Sequence, residues 1–471
     1  MATIPDHVFR GYDLRGLVDS ELNSETVAQL GYGYATWLLE RRIYDCVLGY
    51  DCRHSSPGFR DVLVKALTES GITVYDIGMT LSQICYFGCY YFRTRGMIMI
   101  TASHNPKEYN GLKLGTGYSS TMETEEIINY RELVKKGKFK TRSTKGRHIQ
   151  KDIFPDYVED LLRRVEPIKK FKVVVDSCAA TTGIFLPKIL RDVGCEVIEQ
   201  NTKPDGDFPV GTPDPTESVV QERLAKRVVA EKADLGFSYD ADGERMGVVD
   251  NEGGLIWNDT FVSLFSQDIL DYLPGSKIVY NTLCSKQVDE VIRTNGGEPI
   301  MWKTGHSFIK AKVKEAGAIF GGELSGHFFF VDNFYGHDDG AIASLRLLSY
   351  LTRTNKTLKQ AVSELPQYVS SPEIKVGCPD AVKFEVVSQK IGGAMKKLYP
   401  QATYVEIDGV RMDTEQEMLI VRASQNGPYL TVKFEGKTES TYDTLKKQVN
   451  DILHKISEVD FTHGVNTAAL D

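Results

Sequence analysis

Apolar residues along this chain fall into short β-rich runs, separated by amphipathic stretches and by polar loops led by glycine. "MIMI" (97–100) is an uninterrupted apolar run and predicts a fully buried strand. "KVVVD" (172–176) and "KIVYN" (277–281) are β-rich runs that each end in a polar residue. Stretches such as "PGFRDVLVKALTES" (57–70) repeat their apolar positions at helical spacing. Strands alternating with helices predict βαβ units and a parallel-rich sheet.

The same order of features occurs three times. The first set is "CVLGYDCR" (46–53), "GITVYDIGMTLSQ" (71–83) and "MIMITASHNP" (97–106). The second is "KVVVDSC" (172–178), "GCEVIEQNTKPDG" (194–206) and "LGFSYDADGER" (235–245). The third is "KIVYNTLC" (277–284), "GGEPIMWKTGH" (296–306) and "GAIFGGELSGH" (317–327). Their spacing of roughly 105–125 residues is that of whole domains. Open α/β sheets bind ligands beyond the carboxyl ends of their strands. The three closing loops are therefore expected to bring three chemistries to one central cleft. Beyond about residue 368 the pattern breaks. "VRASQNGPYLTVKFEG" (421–436) and the helical "STYDTLKKQVNDILHKISEV" (440–459) predict a smaller α+β domain. The expected architecture is four domains, at 1–151, 152–255, 256–367 and 368–471, three of them similar mixed or parallel α/β units.

A length of 471 residues supports this division, because one hydrophobic core does not grow to that size. No run of 18 apolar residues could span a bilayer, and "MATIPDHVFRGYDLRG" lacks the basic and apolar regions of a secretion signal. The eight cysteines have neither zinc-knuckle nor Cys-x-x-Cys spacing, which suits reduced thiols in a cytoplasmic protein. A net charge of −8 argues against a nucleic-acid platform but not against an anionic substrate met by a local basic cluster. No nucleic-acid or membrane partner is expected, and the chain is expected to be a monomer or dimer.

Four loops carry candidate chemistry. In "TASHNP" (101–106), Ser103 ends a buried strand beside His104; the same residues are also ordinary turn chemistry. Downstream, Asn110-Gly111 is a two-residue hairpin signal, and the returning strand sends Lys113 opposite Leu112 and Leu114. "DADGER" (240–245) places Asp240, Asp242 and Glu244 at alternate positions, hard oxygen ligands that suit Mg²⁺, with Arg245 beside them. It is not an EF-hand: Arg245 stands where glycine is required and Asn251 where glutamate is. In "GGELSGH" (321–327), Glu323, Ser325 and His327 would share one face if the stretch is extended and would suit vicinal sugar hydroxyls. Lys303 and His306 of "KTGH" offer further polar contacts; a polar hairpin edge is the plainer reading. "RASQNGP" (422–428) combines Arg422 and Ser424 with a turn whose amides could cup an anion.

Taken together, "FRGYDLRG" (9–16), "TASHNP", "DADGER", "KTGH", "GELSGH" and "RASQNGP" resemble, in order, the motifs of the α-D-phosphohexomutase superfamily, most of all its phosphomannomutase/phosphoglucomutase branch. The resemblance spans nearly the whole chain. It implies reversible transfer of a phosphoryl group between the 1- and 6-positions of mannose or glucose phosphates. Ser103 would be the phosphoserine, Mg²⁺ would be held by Ser103, Asp240, Asp242 and Glu244, and a hexose 1,6-bisphosphate would be the activator. Arg15, His104, Lys113, Arg245 and His327 are the implied catalytic residues. Tyr12, Lys303, His306, Glu323, Ser325, His327, Arg422, Ser424, Gln425 and Asn426 would bind the phosphosugar. Two positions depart from the family pattern. Glu244 replaces an aspartate, and Ser-Gln-Asn-Gly-Pro replaces Ser-Asn-Thr-x-Pro. Alternatives are a phosphoglucosamine or N-acetylglucosamine-phosphate mutase, from which Leu324 sets this chain apart, and an inactive phosphosugar-binding homologue.

Overall fold

The computed structural model describes residues 3–424 and 427–471. The chain forms two compact units. One holds residues up to Asn258 together with Ser325–Ala361, and the other holds Asp259–Leu324 and Val362–Asp471.

Within the first unit, two sheets are built on one plan. Asp45–Tyr50 lies between Thr73–Met79 and Met97–Ile100, parallel to both. Lys172–Asp176 lies in the same way between Glu196–Gln200 and Leu235–Tyr239. The second unit repeats the plan, with Lys277–Asn281 between Glu298–Trp302 and Phe320–Gly322. In each case the first strand in sequence is central, and the third leads into the polar loop that closes the repeat. Those loops follow the carboxyl ends of parallel strands, where such sheets bind ligands. Two of the third strands carry an antiparallel neighbour: Tyr109–Gly117 beside Met97–Ile100, and Met246–Asp250 beside Leu235–Tyr239.

Met97, Ile98, Met99 and Ile100 are all buried, as an unbroken apolar run requires when both sheet faces are covered. Asn110-Gly111, in contrast, makes no turn. The strand Tyr109–Gly117 passes straight through it, with Gly111 opposite Arg15 and Asn110 opposite Gly16. Gly111 is there for close approach: a Cβ would overlap the Leu14 carbonyl oxygen and stand 2.9 Å from that of Thr101. Asn110 donates to the hydroxyls of Ser55 and Ser56 at 2.8 and 3.0 Å, which uses its amide inside the fold.

The C-terminal segment is an antiparallel sheet covered by the helix Glu439–His454, which buries Leu445, Val449 and Leu453 in the core. Its two longest strands, Glu417–Ala423 and Tyr429–Gly436, pair along their length and carry the "RASQNGP" loop between them. The architecture is thus three similar α/β domains followed by a smaller α+β domain. Among the described residues, no helix is long and apolar enough to cross a membrane.

Candidate active site

Ser103 sits three residues past the strand Met97–Ile100, at φ +49°, a left-handed conformation that costs a non-glycine residue energy unless its surroundings hold it. Arg53 supplies much of that hold. It is 1% exposed, its Nη2 donates to the carbonyls of Ser103 and Asn105, both at 2.7 Å, and its Nη1 to those of Pro106 and Tyr109 at 2.7 and 2.9 Å. Arg53 Nε is paired with the buried Asp51 at 3.1 Å, so the arginine is fixed as well as the loop. The Ser103 amide donates to the Thr101 hydroxyl at 2.9 Å. Arg15 adds a further tie, donating to the Ala102 carbonyl at 3.2 Å and the Asn105 side chain at 2.5 Å, while Asp13 holds its Nε at 2.9 Å. Tyr12 is buried two residues before Asp13's neighbour Leu14.

The Ser103 hydroxyl donates to Asp240 at 2.7 Å and lies 3.2 Å from His104 Nδ1. Asp242 and Glu244 converge instead on Lys113, whose Nζ donates to each at 2.6 Å. Lys113 projects from Tyr109–Gly117 opposite the core residues Leu112 and Leu114, the placement that strand alternation predicts. The Ser82 hydroxyl also donates to Asp242, at 2.7 Å, and the Ser82 amide to the Asp242 carbonyl at 3.0 Å. Gly243, at φ +78°, makes the turn between the carboxylates.

Burial and the neighbouring Asp242 charge raise the Asp240 carboxyl well above the usual range. Burial acts the same way on Asp242, but the Lys113 ammonium and the Ser82 hydroxyl outweigh it and hold that carboxyl below the usual range. For Lys113, burial opposes the charge, and Asp242, Glu244 and Asp338 together keep the ammonium protonated. Asp242 Oδ1 is buried and has no hydrogen-bond partner among the described residues. A hydroxyl and three buried carboxylates, one with an unused oxygen, are hard donors of the kind Mg²⁺ takes, with Asp242 and Glu244 paired to the Lys113 ammonium in this structure.

Arg245 donates through its amide to Asp240 at 3.0 Å and through Nε to His327 Nε2 at 3.0 Å. His327 Nδ1 lies 2.8 Å from Asp338 Oδ2. Burial pulls the His327 pKa down to about 4, against the pull of Asp338. His327 is therefore neutral near pH 7, with its proton on Nδ1 facing Asp338 and its lone pair on Nε2. The "GGELSGH" stretch is not extended. The strand ends at Gly322, residues 324–325 turn, and Gly326 takes φ +90°, so alternate spacing does not set a common face for Glu323, Ser325 and His327. Gly326 is needed because a Cβ there would stand 2.6 Å from the Met246 carbonyl. Ser325 is half-buried at this turn.

In the second unit, Glu323 is buried and accepts from the Gly305 amide at 2.9 Å, tying itself to the "KTGH" loop. His306, buried, starts the helix His306–Ala316, and Lys303 Nζ stands 3.8 Å above the Phe308 ring. Arg422 and Ser424 are buried at the end of Glu417–Ala423, and Gln425 and Asn426 lie outside the described residues. Lys383 braces this loop, donating to the carbonyls of Ser424 and Gly427 at 2.6 and 3.0 Å.

Four supporting residues had not been singled out from the sequence: Arg53, Ser82, Asp338 and Lys383. A signal existed for two of them. Arg53 follows Asp51 in "GYDCR", at the polar end of the first repeat strand, and Asp338 lies in the acidic "HDDG" (337–340). Ser82 and Lys383 sit in unremarkable helix starts, and the loops they brace lie far from them in sequence.

Comparison with known proteins agrees with this geometry. The family description "Phosphoglucomutase/phosphomannomutase, alpha/beta/alpha domain I" matches residues 6–141, domain II matches 155–254, and domain III matches 257–369. A phosphomannomutase/phosphoglucomutase of Pseudomonas aeruginosa is 35% identical over 444 residues, covering 94% of this chain and 95% of that protein. A phosphoglucomutase of Neisseria gonorrhoeae is 32% identical over 454 residues, covering 96% and 98%. The crystal structure of a phosphoglucomutase/phosphomannomutase family protein from Burkholderia thailandensis superposes with a TM-score of 0.87 at 29% identity, over 98% of this chain and 100% of that one. On motifs, domain order and full-length similarity, this chain belongs to the phosphoglucomutase/phosphomannomutase family.

Proposed function

We propose that this chain is a reversible phosphohexose mutase acting on mannose and glucose phosphates through a phosphoserine at Ser103. The observation that carries the reading is the Ser103 hydroxyl, held in a left-handed loop by Arg53 and placed 2.7 Å from Asp240. In the forward step, the bond between phosphorus and Ser103 Oγ breaks. A new bond forms to the free 1- or 6-hydroxyl oxygen of the sugar monophosphate, the hydroxyl proton leaves to a base, and Ser103 Oγ takes up a proton to become the free hydroxyl. The bisphosphate then presents its other phosphate to Ser103, which is rephosphorylated. A hexose 1,6-bisphosphate activates the enzyme by phosphorylating the same serine.

Phosphoryl transfer is accelerated chiefly by positioning and by neutralising charge on the transferring oxygens. Ser103, Asp240, Asp242 and Glu244 would hold Mg²⁺, which supplies part of that neutralisation when bound. Arg15, Lys113 and Arg245 supply the rest. Arg15, Lys113 and His327 are the candidates to handle the hydroxyl proton, and His104 lies close enough to Ser103 to orient its oxygen. Tyr12, Lys303, His306, Glu323 and Ser325 contact the sugar, and Arg422 and Ser424, with Gln425 and Asn426, hold the phosphate that is not being transferred. Glu244 keeps the charge of the aspartate usual at its position and accepts from Lys113.

The test is a coupled assay with mannose 1-phosphate, glucose 1-phosphate and glucosamine 1-phosphate, each with its bisphosphate. Turnover of the first two, well above the third, is expected. Preference for the amino sugar would move the chain to a glucosamine-phosphate mutase. Tight binding of all three without turnover would make it a phosphosugar-binding protein.

A further inference from the structure

Within the second unit, Asp408 and Gly409 form a bend that leads into the strand Val410–Asp413. The Asp408 side chain is 8% exposed, and its Oδ2 gathers three donors: Arg422 Nε at 2.9 Å, the Thr304 amide at 2.8 Å and the Thr282 hydroxyl at 3.3 Å. These come from three separate segments. Arg422 lies on Glu417–Ala423, Thr304 lies in the "KTGH" loop next to His306, and Thr282 follows the strand Lys277–Asn281.

The backbone around Asp408 is shaped for this. Gly409 takes φ +87°, and a Cβ there would overlap the Val421 carbonyl and stand 2.6 Å from the Arg422 Cα. Only glycine lets the bend lie this close to the arginine. Two residues on, Arg411 is 1% exposed, and its Nη1 donates to the carbonyls of Thr282 and Cys284, both at 2.6 Å. Asp413 holds Arg411 Nε and Nη2 at 2.8 and 3.0 Å. The bend is thus seated on the end of the strand Lys277–Asn281 by a second buried arginine.

Asp408 engages Arg422 through Nε alone. It therefore does not occupy the Nη1/Nη2 fork, the edge that matches two oxygens of a phosphate. Burial disfavours the Arg422 charge, and Asp408 is the first of the groups that offset this, followed by Glu373.

We propose that Asp408 is a positioning residue for the phosphate-holding arginine: it sets the direction of the Arg422 fork and registers it on the "KTGH" loop, so that a residue touching no substrate governs affinity for the non-transferring phosphate. This rests on the function proposed above. It adds a dependence between two loops, because the acceptor that orients Arg422 also anchors the Thr304 amide.

The test uses the full chain with two probes, inorganic phosphate bound calorimetrically and a hexose monophosphate in the mutase assay. Asp408→Ala is expected to weaken phosphate binding and raise KM about tenfold, the cost of freeing a charged hydrogen-bonded partner. Its kcat stays within about twofold of the parent, since the transferring phosphoryl group is handled elsewhere. Asp408→Asn keeps an oxygen for Nε and Thr304 and recovers most of the affinity. In an Arg422→Ala background, Asp408→Ala changes neither probe further, because the residue acts through the arginine. Unchanged phosphate affinity in Asp408→Ala would overturn the proposal, as would an equal loss in the Arg422→Ala background. A fall in kcat at constant KM would do the same. A parent chain that turns over no sugar phosphate would sink the mutase reading alone, since phosphate binding still reports on Asp408.

Discussion

Ser103 is reactive in this account because of where its backbone is held, and Arg53 is the residue that holds it. Among the described residues, Arg53 donates to Asp51 and to four backbone carbonyls in and just after the serine loop. Lysine is a point charge that cannot reproduce this planar fork. Arg53→Lys is expected to lower kcat about tenfold or more with little change in KM, and to lower the melting temperature, because buried carbonyls lose partners worth about 1–3 kcal/mol each. Steady-state kinetics and thermal melting read the two effects; a raised KM with normal kcat would place Arg53 in substrate binding instead. His327 gives a prediction in pH. Its pKa falls from an ordinary 6.5 to about 4 on folding, so between those values the unfolded chain takes up a proton that the folded chain refuses. Stability therefore drops as pH falls from 6.5 towards 4, by about 3 kcal/mol for this group. Asp339, raised to about 6, works in the opposite sense, so the contribution is read as a difference between the parent and His327→Gln. The parent's denaturation midpoint should fall more steeply with acid than the variant's; parallel curves would contradict the burial of a neutral imidazole. At this scale the positions of Ser103, Asp242 and Lys113 were legible in the sequence, because they follow strand ends or strand alternation. Arg53 and Asp338 left only a weak signal, a charged residue at a strand end and in an acidic run, because the backbone carbonyls or the histidine they serve show only in the fold.

At the scale of elements, glycines mark where pattern reading succeeded and failed. Gly243 and Gly326 take positive φ in turns beside the site. Gly111 looked like a third turn, next to an asparagine, yet it lies inside a central strand and its requirement is steric. Local sequence does not distinguish a turn from a close approach, since both need a missing Cβ and only the fold says which backbone passes nearby. Gly111→Ala is expected to destabilise the chain by about 2 kcal/mol or more, since the Leu14 and Thr101 carbonyls on both sides leave no room for relaxation. Gly194→Ala is the control. There a Cβ meets nothing within 4 Å, but φ is +92°, so only the conformational penalty of about 1 kcal/mol is expected. Equal losses in the two variants would show that crowding at Gly111 is not what selects glycine. The "GGELSGH" loop teaches the same lesson: alternate spacing of Glu323, Ser325 and His327 suggested a strand, but the chain turns at 324–325.

For the whole molecule, the threefold repeat was the most informative feature of the sequence. Its strands recur with the first one central each time, so each domain ends a parallel strand in a polar loop without any change of plan. Chemistry then differs only in loop content: a serine, a set of carboxylates, and a carboxylate with an imidazole. Domain-sized repeats were legible because each strand–helix–strand order is local. The supports that join them, such as Ser82 on Asp242 and Thr181 on the Cys52 amide, pair residues more than a hundred positions apart and were not. The central claim is that Ser103 carries the transferable phosphate. Intact-protein mass after incubation with glucose 1,6-bisphosphate and Mg²⁺, followed by fragmentation, tests it most directly. One added phosphate, located on Ser103 and lost on chase with hexose monophosphate, is the predicted result; turnover by a chain that never acquires phosphate at Ser103 would contradict it.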